Sequence, residues 1–239
     1  MKEAMRLPKL GLGPKLVLGI DTCGPAGSVA LARLTGAQVD VLAERALEGR
    51  SYSATLVQAV GELLAASELL PAALDAIVVT SGPGSFTGVR VGLSAVKGLA
   101  EATGVPVAAV SRLAVLAAKA GTDSAAQDAH RNEVFLRLAE AGGEARELLA
   151  GAAELAEMDL AGGTIAVCED TAAEMLKSAW LGVELRRVEA PTAADALRLA
   201  AERVAAGRFD DVALLDGHYV RRSDAEIFGK TVPDGRGSA

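Results

Sequence analysis

Apolar residues run almost without interruption from Lys15 to Asp21 (KLVLGID), a pattern that predicts a buried strand. Gly27–Leu34 (GSVALARL) and Gln38–Glu44 follow after short turns and predict two further strands, hence an antiparallel meander. From Ser51 or Tyr52 to Ser67 the period changes. Leu56, Val57, Val60, Leu63 and Leu64 recur at helical spacing, and Pro71 then breaks the chain. Ala76–Thr80 (AIVVT) reads as a strand, a helix runs from near Val89 to about Thr103, and Pro106–Val110 is another strand. The order β-β-β-α-β-α-β needs crossover connections, which make the later strands parallel neighbours.

The second half is less regular. Ser111–Ala120 predicts a helix, and Ala126–Arg131 with Glu133–Ala139 a strand pair. Thr164–Cys168 and Val183–Val188 predict short strands around a helix at Thr171–Ala179. A last helix, Ala193–Ala206, carries Ala193, Leu197, Ala200, Ala201 and Val204 on one side. Gly142-Gly143 and Gly162-Gly163 mark loops. Strand pair, helix and strand recur in both halves, which suggests an internal symmetry. Residues 1–14 read as a flexible leader and residues 230–239, with Pro, Gly and Ser, as a disordered tail.

Between the Ala76–Thr80 strand and the next helix lies SGPGSFTGVR, Ser81–Arg90. A glycine-rich turn in that place is a common phosphate cradle, but the spacing departs from the nucleotide loops. Gly88 is followed by Val89 and Arg90, where a Walker A loop has Lys and Ser or Thr. Gly82, Gly84 and Gly88 are spaced one residue too widely for GxGxxG, and Pro83 removes an amide N–H. Ser85 or Thr87 could cap the helix and leave a positive helix end nearby, so a phosphate contact stays open, but the local pattern favours a structural turn.

The helix that follows has three stripes. Val89, Leu93, Val96 and Ala100 form an apolar one, and Arg90, Ser94, Lys97 and Glu101 a polar one opposite. Gly88, Gly92, Ala95 and Leu99 form a second apolar stripe of mainly small residues, which lets another helix approach closely. That helix is either the Tyr52–Ser67 helix of the same domain or one from a partner chain. The Tyr52–Ser67 helix has its own small flank, Ala54, Gly61 and Ala65, so the two could offer one docking surface. If so, enlarging Gly92 should weaken association more than folding.

Composition narrows the function. With 239 residues, 51% of them hydrophobic, and a mean hydropathy of +0.30, the chain has a core to bury and is not a disordered protein. No window is apolar enough to span a bilayer. The net charge of −7 argues against tight nucleic-acid binding by the chain alone, and the pairs Arg186-Arg187 and Arg221-Arg222 are too small to reverse it. Cys23 and Cys168 are far apart in sequence, which argues against a disulfide framework and for a cytosolic location. His130 and His218 lack the close partners of a metal motif, and GxSxG does not occur.

Four segments carry a resemblance: LGIDTCGPAGSVAL (Leu18–Leu31), SGPGSFTGVRVGLSAVKGLA (Ser81–Ala100), DAHRNEVFLR (Asp128–Arg137) and YVRRSDAEI (Tyr219–Ile227). In order and spacing they are similar to the bacterial TsaB (YeaZ) family. The resemblance implies an α/β, actin-like (ASKHA) fold of two lobes with mixed, ribonuclease-H-type sheets. Residues 15–110 would form the first lobe, joined by 191–222, and 111–190 the smaller second lobe. It also implies a non-catalytic role beside the catalytic TsaD subunit in forming threonylcarbamoyladenosine at position 37 of tRNAs reading ANN codons. TsaE, an ATPase, is an associated partner, and tRNA would be met only through the complex. The family pairs with itself or with TsaD through first-lobe helices. Here that face would comprise Tyr52, Ser53, Ala54, Gly61, Gly88, Arg90, Gly92, Ala95 and Leu99. Tyr52-Ser53 stands where many members have His-Ser, and DAHRNEVF where DARRGEVY is usual, so His130 is a substitution and not a ligand.

Two other functions compete. An actin-like ATPase or kinase would use Asp21 and Thr22 in the first hairpin to meet a nucleotide phosphate and its metal. A metalloprotease would need ligands that the motifs do not supply. No cofactor is expected on the chain alone, and ATP or ADP at a complex interface stays open.

Overall fold

The computed structural model describes residues 13–48, 51–140, 145–158, 160 and 162–220. Leader residues 1–12, Gly142-Gly143, Arg221-Arg222 and the 230–239 tail lie outside them.

The first seven elements are β1 (Lys15–Asp21), β2 (Ala26–Thr35), β3 (Gln38–Glu48), α1 (Tyr52–Ala66), β4 (Ala76–Thr80), α2 (Phe86–Thr103) and β5 (Val107–Val110). They build one sheet in the order β3-β2-β1-β4-β5. The two hairpins are antiparallel, with Leu18 opposite Leu31 and Ile20 opposite Val29. The two crossovers make β1, β4 and β5 parallel, with Leu18 beside Ile77 and Ile77 beside Val107. β3 runs four residues beyond its predicted end because backbone pairing with β2 continues, Val29 to Arg45 and Gly27 to Leu47, after the side chains turn polar. α2 starts at Phe86, three residues before its apolar stripe, because Ser85 caps it there.

Alternation divides this sheet's side chains between two layers. Leu18, Ile20, Val29, Leu31, Ile77 and Val79 face α1 and α2. Val17, Ala30, Ala32, Ala76 and Val78 face α6 (Ala193–Ala205), which returns from the far end of the chain. That second layer is thin. A Cβ at Gly19 would come within 2.8 Å of Ala193 O, so the alanines of α6 sit almost directly on the strands.

The remaining elements are α3 (Arg112–Ala120), β6 (Ser124–His130), β7 (Glu133–Ala139), β8 (Ala145–Gly151), α4 (Ala152–Glu157), β9 (Thr164–Val167), α5 (Asp170–Ala179) and β10 (Glu184–Arg187). Their sheet has the order β10-β9-β6-β7-β8. Read from the other edge, this repeats the first sheet strand for strand: three antiparallel strands, then two parallel ones reached through helices. β8 and α4 are additions to the sequence reading. β8 pairs with β7 along its whole length although Arg146 and Glu147 interrupt its apolar pattern, and α4 is too short to show a period.

α3 joins the halves. Val115 enters the layer under α6, and Leu113, Leu116, Ala117 and Ala120 pack on Ala125 and Ala166 of the second sheet.

Candidate partner-binding surface

Ser81–Ser85 folds back on the end of β1. The Gly82–Pro83 bond is cis. Ser85 N–H donates to Cys23 O at 2.8 Å, and the Ser85 hydroxyl accepts from Gly88 N–H at 3.2 Å. The Thr22 hydroxyl donates to Gly88 O at 2.7 Å. A Cβ at Gly84 would overlap Cys23 O, and one at Gly88 would overlap Thr22 O. The glycines therefore serve a close approach between two backbone segments, and Ser85 caps the N-terminus of α2.

This corrects the expected second stripe at two positions. Gly88 and Gly92 are buried, and a Cβ at Gly92 would overlap the Thr22 hydroxyl. Both face the end of β1, not outward. Ala95 and Leu99 are half-buried against the core that lies beneath α1 and α2. Tyr52 is also turned inward: its hydroxyl donates to Gly24 O at 2.8 Å and ties the first turn of α1 to the β1–β2 hairpin. Burial first, and then the charge of Asp21, push its phenol up to about 12.

What the two helices leave outside is a groove of about 560 Å³. Ser53 and Val57 form its α1 wall, and Phe86, Arg90, Val91 and Ala95 its α2 wall. Val57, one of the apolar residues at helical spacing in α1, is 68% exposed, and Phe86 is 43% exposed. Ala54 and Gly61 are exposed on α1, and nothing lies within 4 Å of a Cβ at Gly61. The guanidinium of Arg90 stacks 3.6 Å over the Phe86 ring, and its Nε donates to the Tyr219 hydroxyl at 3.1 Å. Phe86 and Tyr219 in turn have ring centroids 5.3 Å apart. Two side chains of the groove's α2 wall are thus held by Tyr219 from far along the chain, a contact that local periodicity in α2 could not reveal.

Asp21 and Thr22, read as a nucleotide contact, have internal partners instead. Asp21 is fully buried. Its Oδ1 accepts from the Thr80 hydroxyl at 2.7 Å and Cys23 N–H at 2.9 Å, and its Oδ2 from Arg112 Nε at 3.3 Å. Burial, the largest single effect, acts against the Arg112 charge, but Asp21 together with the Cys23 and Cys168 sulfurs outweighs it, and the guanidinium pKa moves up. Burial first, and Asp21 second, push the Cys23 thiol up to about 12, so it is an inert thiol at neutral pH. Among the described residues no group of three or more His, Cys, Asp or Glu is placed to hold a metal ion. No helix among them is long and apolar enough to cross a membrane.

Two sheets of the same topology, joined by α3, with an open groove between first-lobe helices, define a two-lobed α/β protein of the actin-like class with mixed sheets. Residues 41–183 match the model of the family described as TsaD: tRNA N6-adenosine threonylcarbamoyltransferase. Over 127 residues the chain is 37% identical to the tRNA threonylcarbamoyladenosine biosynthesis protein TsaB of Bacillus subtilis, covering 51% of this chain and 54% of that protein. It is 36% identical over 126 residues to the TsaB of Haemophilus influenzae, covering 50% and 51%. The solved YeaZ of Pseudomonas aeruginosa superposes with a TM-score of 0.69 at 28% identity, covering 86% of this chain and 99% of that one. The chain belongs to the family of that model and, within it, to the TsaB/YeaZ members. It spans about half the length of the curated relatives it matches.

Proposed function

We propose that this chain is a non-catalytic, TsaB-like subunit that supports a TsaD-like catalytic partner in forming threonylcarbamoyladenosine at position 37 of tRNAs reading ANN codons. The groove between α1 and α2 carries the reading. An exposed Val57 and a part-exposed Phe86, rimmed by Ser53 and Arg90, have the mixed character of a protein interface: apolar at the centre, polar at the edge. The relatives named as tRNA threonylcarbamoyladenosine biosynthesis proteins support the pathway. The buried partners of Asp21 weigh against an ATPase or kinase that would use it. On this reading the groove receives a helix of the TsaD-like subunit or of a second copy, a TsaE-like ATPase joins the assembly in the cytoplasm, and tRNA is met only through the complex.

The test is reconstitution. The chain alone is expected to show no threonylcarbamoyl transfer or peptidase turnover. It should co-purify with its cognate TsaD-like subunit and raise that subunit's tRNA modification. Robust transfer by the chain alone would overturn the reading, as would full activity of the TsaD-like subunit without it.

A further inference from the structure

An actin-like fold brings with it the expectation of a nucleotide and a divalent cation at the first hairpin, and Asp21 is the carboxylate such a cation would meet. The residues present do not fit that group. Both Asp21 oxygens are engaged inside the protein, and the positive charge facing Oδ2 is the chain's own Arg112. Both side chains are almost wholly out of solvent, 0% and 3% exposed.

Three features of Arg112 bear on why it is there. It is the first residue of α3, where the helix dipole disfavours a cation, so the helix itself does not recommend it. Its Nη2 is buried and has no hydrogen-bond acceptor among the described residues, which is costly for a charged donor. The same Nη2 lies so close to Gly24 that a Cβ there would overlap it, so the hairpin is shaped around the guanidinium. A side chain held for its hydrogen bonds would use all of them. This one is held for its charge and volume, at the junction where Arg112 N–H also donates to Gly82 O at 2.7 Å and α3 passes between the lobes.

We propose that the Arg112 guanidinium stands in this chain in the place of a divalent cation opposite Asp21, so that the hairpin is closed by an internal charge and admits neither the cation nor a nucleotide phosphate. The inference does not depend on the proposed function, because it concerns the free chain.

Mn2+ is the probe, read by electron paramagnetic resonance and by melting temperature, with and without ADP. The unaltered chain is expected to show no saturable Mn2+ binding and no shift in melting. Arg112→Ala should melt lower in chelator, gain a single saturable Mn2+ site and recover part of its melting temperature as that site fills. Adding Asp21→Asn should abolish the site. If Arg112→Ala does not fold in chelator, Arg112→Gln, which keeps much of the side-chain volume, takes its place in the same titration. Saturable binding to the unaltered chain that Asp21→Asn removes would overturn the proposal. So would the lack of any Asp21-dependent site once Arg112 is replaced.

Discussion

Gly88 and Gly92 are glycines for the sake of Thr22, whose carbonyl and hydroxyl occupy the space that their side chains would take. In Gly92→Ala, Thr22 must shift and weaken its bond to Gly88 O. Overpacking of this kind costs roughly 1–3 kcal/mol, and the weakened hydrogen bond adds up to about 1 kcal/mol. Helix propensity returns only about 1 kcal/mol. Gly92→Ala is therefore expected to lower unfolding free energy in urea by up to about 3 kcal/mol. Gly61→Ala has open space and should instead stabilise by roughly 0.8–1 kcal/mol. Equal effects at the two sites would contradict the packing described. Both glycines look alike in sequence, small residues on the flank of an amphipathic helix. What separates them is the end of β1, some seventy residues earlier in the chain than Gly92, which no helical period can report.

At the scale of elements, α1 and α2 each divide their surface between the sheet, each other and the groove. Val57 is the position where that division can be tested. Being 68% exposed, Val57→Glu should change stability by no more than about 0.5 kcal/mol. It should weaken binding to the cognate TsaD-like subunit at least tenfold, about 1.4 kcal/mol. Melting curves and a binding titration on one preparation check both halves, and unchanged affinity would place the partner on another face. The apolar period in α1 announced the helix and its buried side, Leu56, Val60, Leu63 and Leu64, correctly. It also swept in Val57, because an apolar residue on the exposed flank of a helix keeps the same spacing as one in the core. β8 escaped notice for the opposite reason: its place depends on pairing with β7, and its own pattern is broken by Arg146 and Glu147.

Across the whole molecule Glu147 ties the lobes to the C-terminal stretch. It accepts from the Ser111 hydroxyl at 2.7 Å and from Arg137 Nη1 at 2.8 Å, and His218 Nε2 lies 2.8 Å away. His218 N–H in turn donates to Ser81 O at 2.7 Å. Burial raises the Glu147 carboxyl, but hydrogen bonds from His218, Ser111 and Arg137 outweigh it and hold the pKa below the ordinary glutamate value. A depressed carboxylate pKa stabilises the fold above the unfolded value, about 4.3, and that stabilisation is lost as pH falls through the folded one. Glu147→Gln should therefore be less stable than the unaltered chain at pH 7, with the gap closing as acid protonates Glu147. Urea midpoints measured from neutral pH down to about pH 3 read this directly. A gap that does not change with pH would mean that the charge of Glu147 contributes nothing.

By itself the sequence determined the strands and helices of the first half and their β-β-β-α-β-α-β order, and most of those in the second half apart from β8 and α4, because period and turn residues are local properties. Its family motifs also pointed to the TsaB/YeaZ members. The tertiary structure alone decided where Gly88, Gly92 and Tyr52 face and what Asp21 is paired with, and it turned the suggested internal symmetry into two sheets of one topology. Arg112 is 91 residues from Asp21, and His218 is 71 from Glu147. Such pairs form only when the sheets have already brought distant backbone together, so nothing in the residues beside them announces the partner.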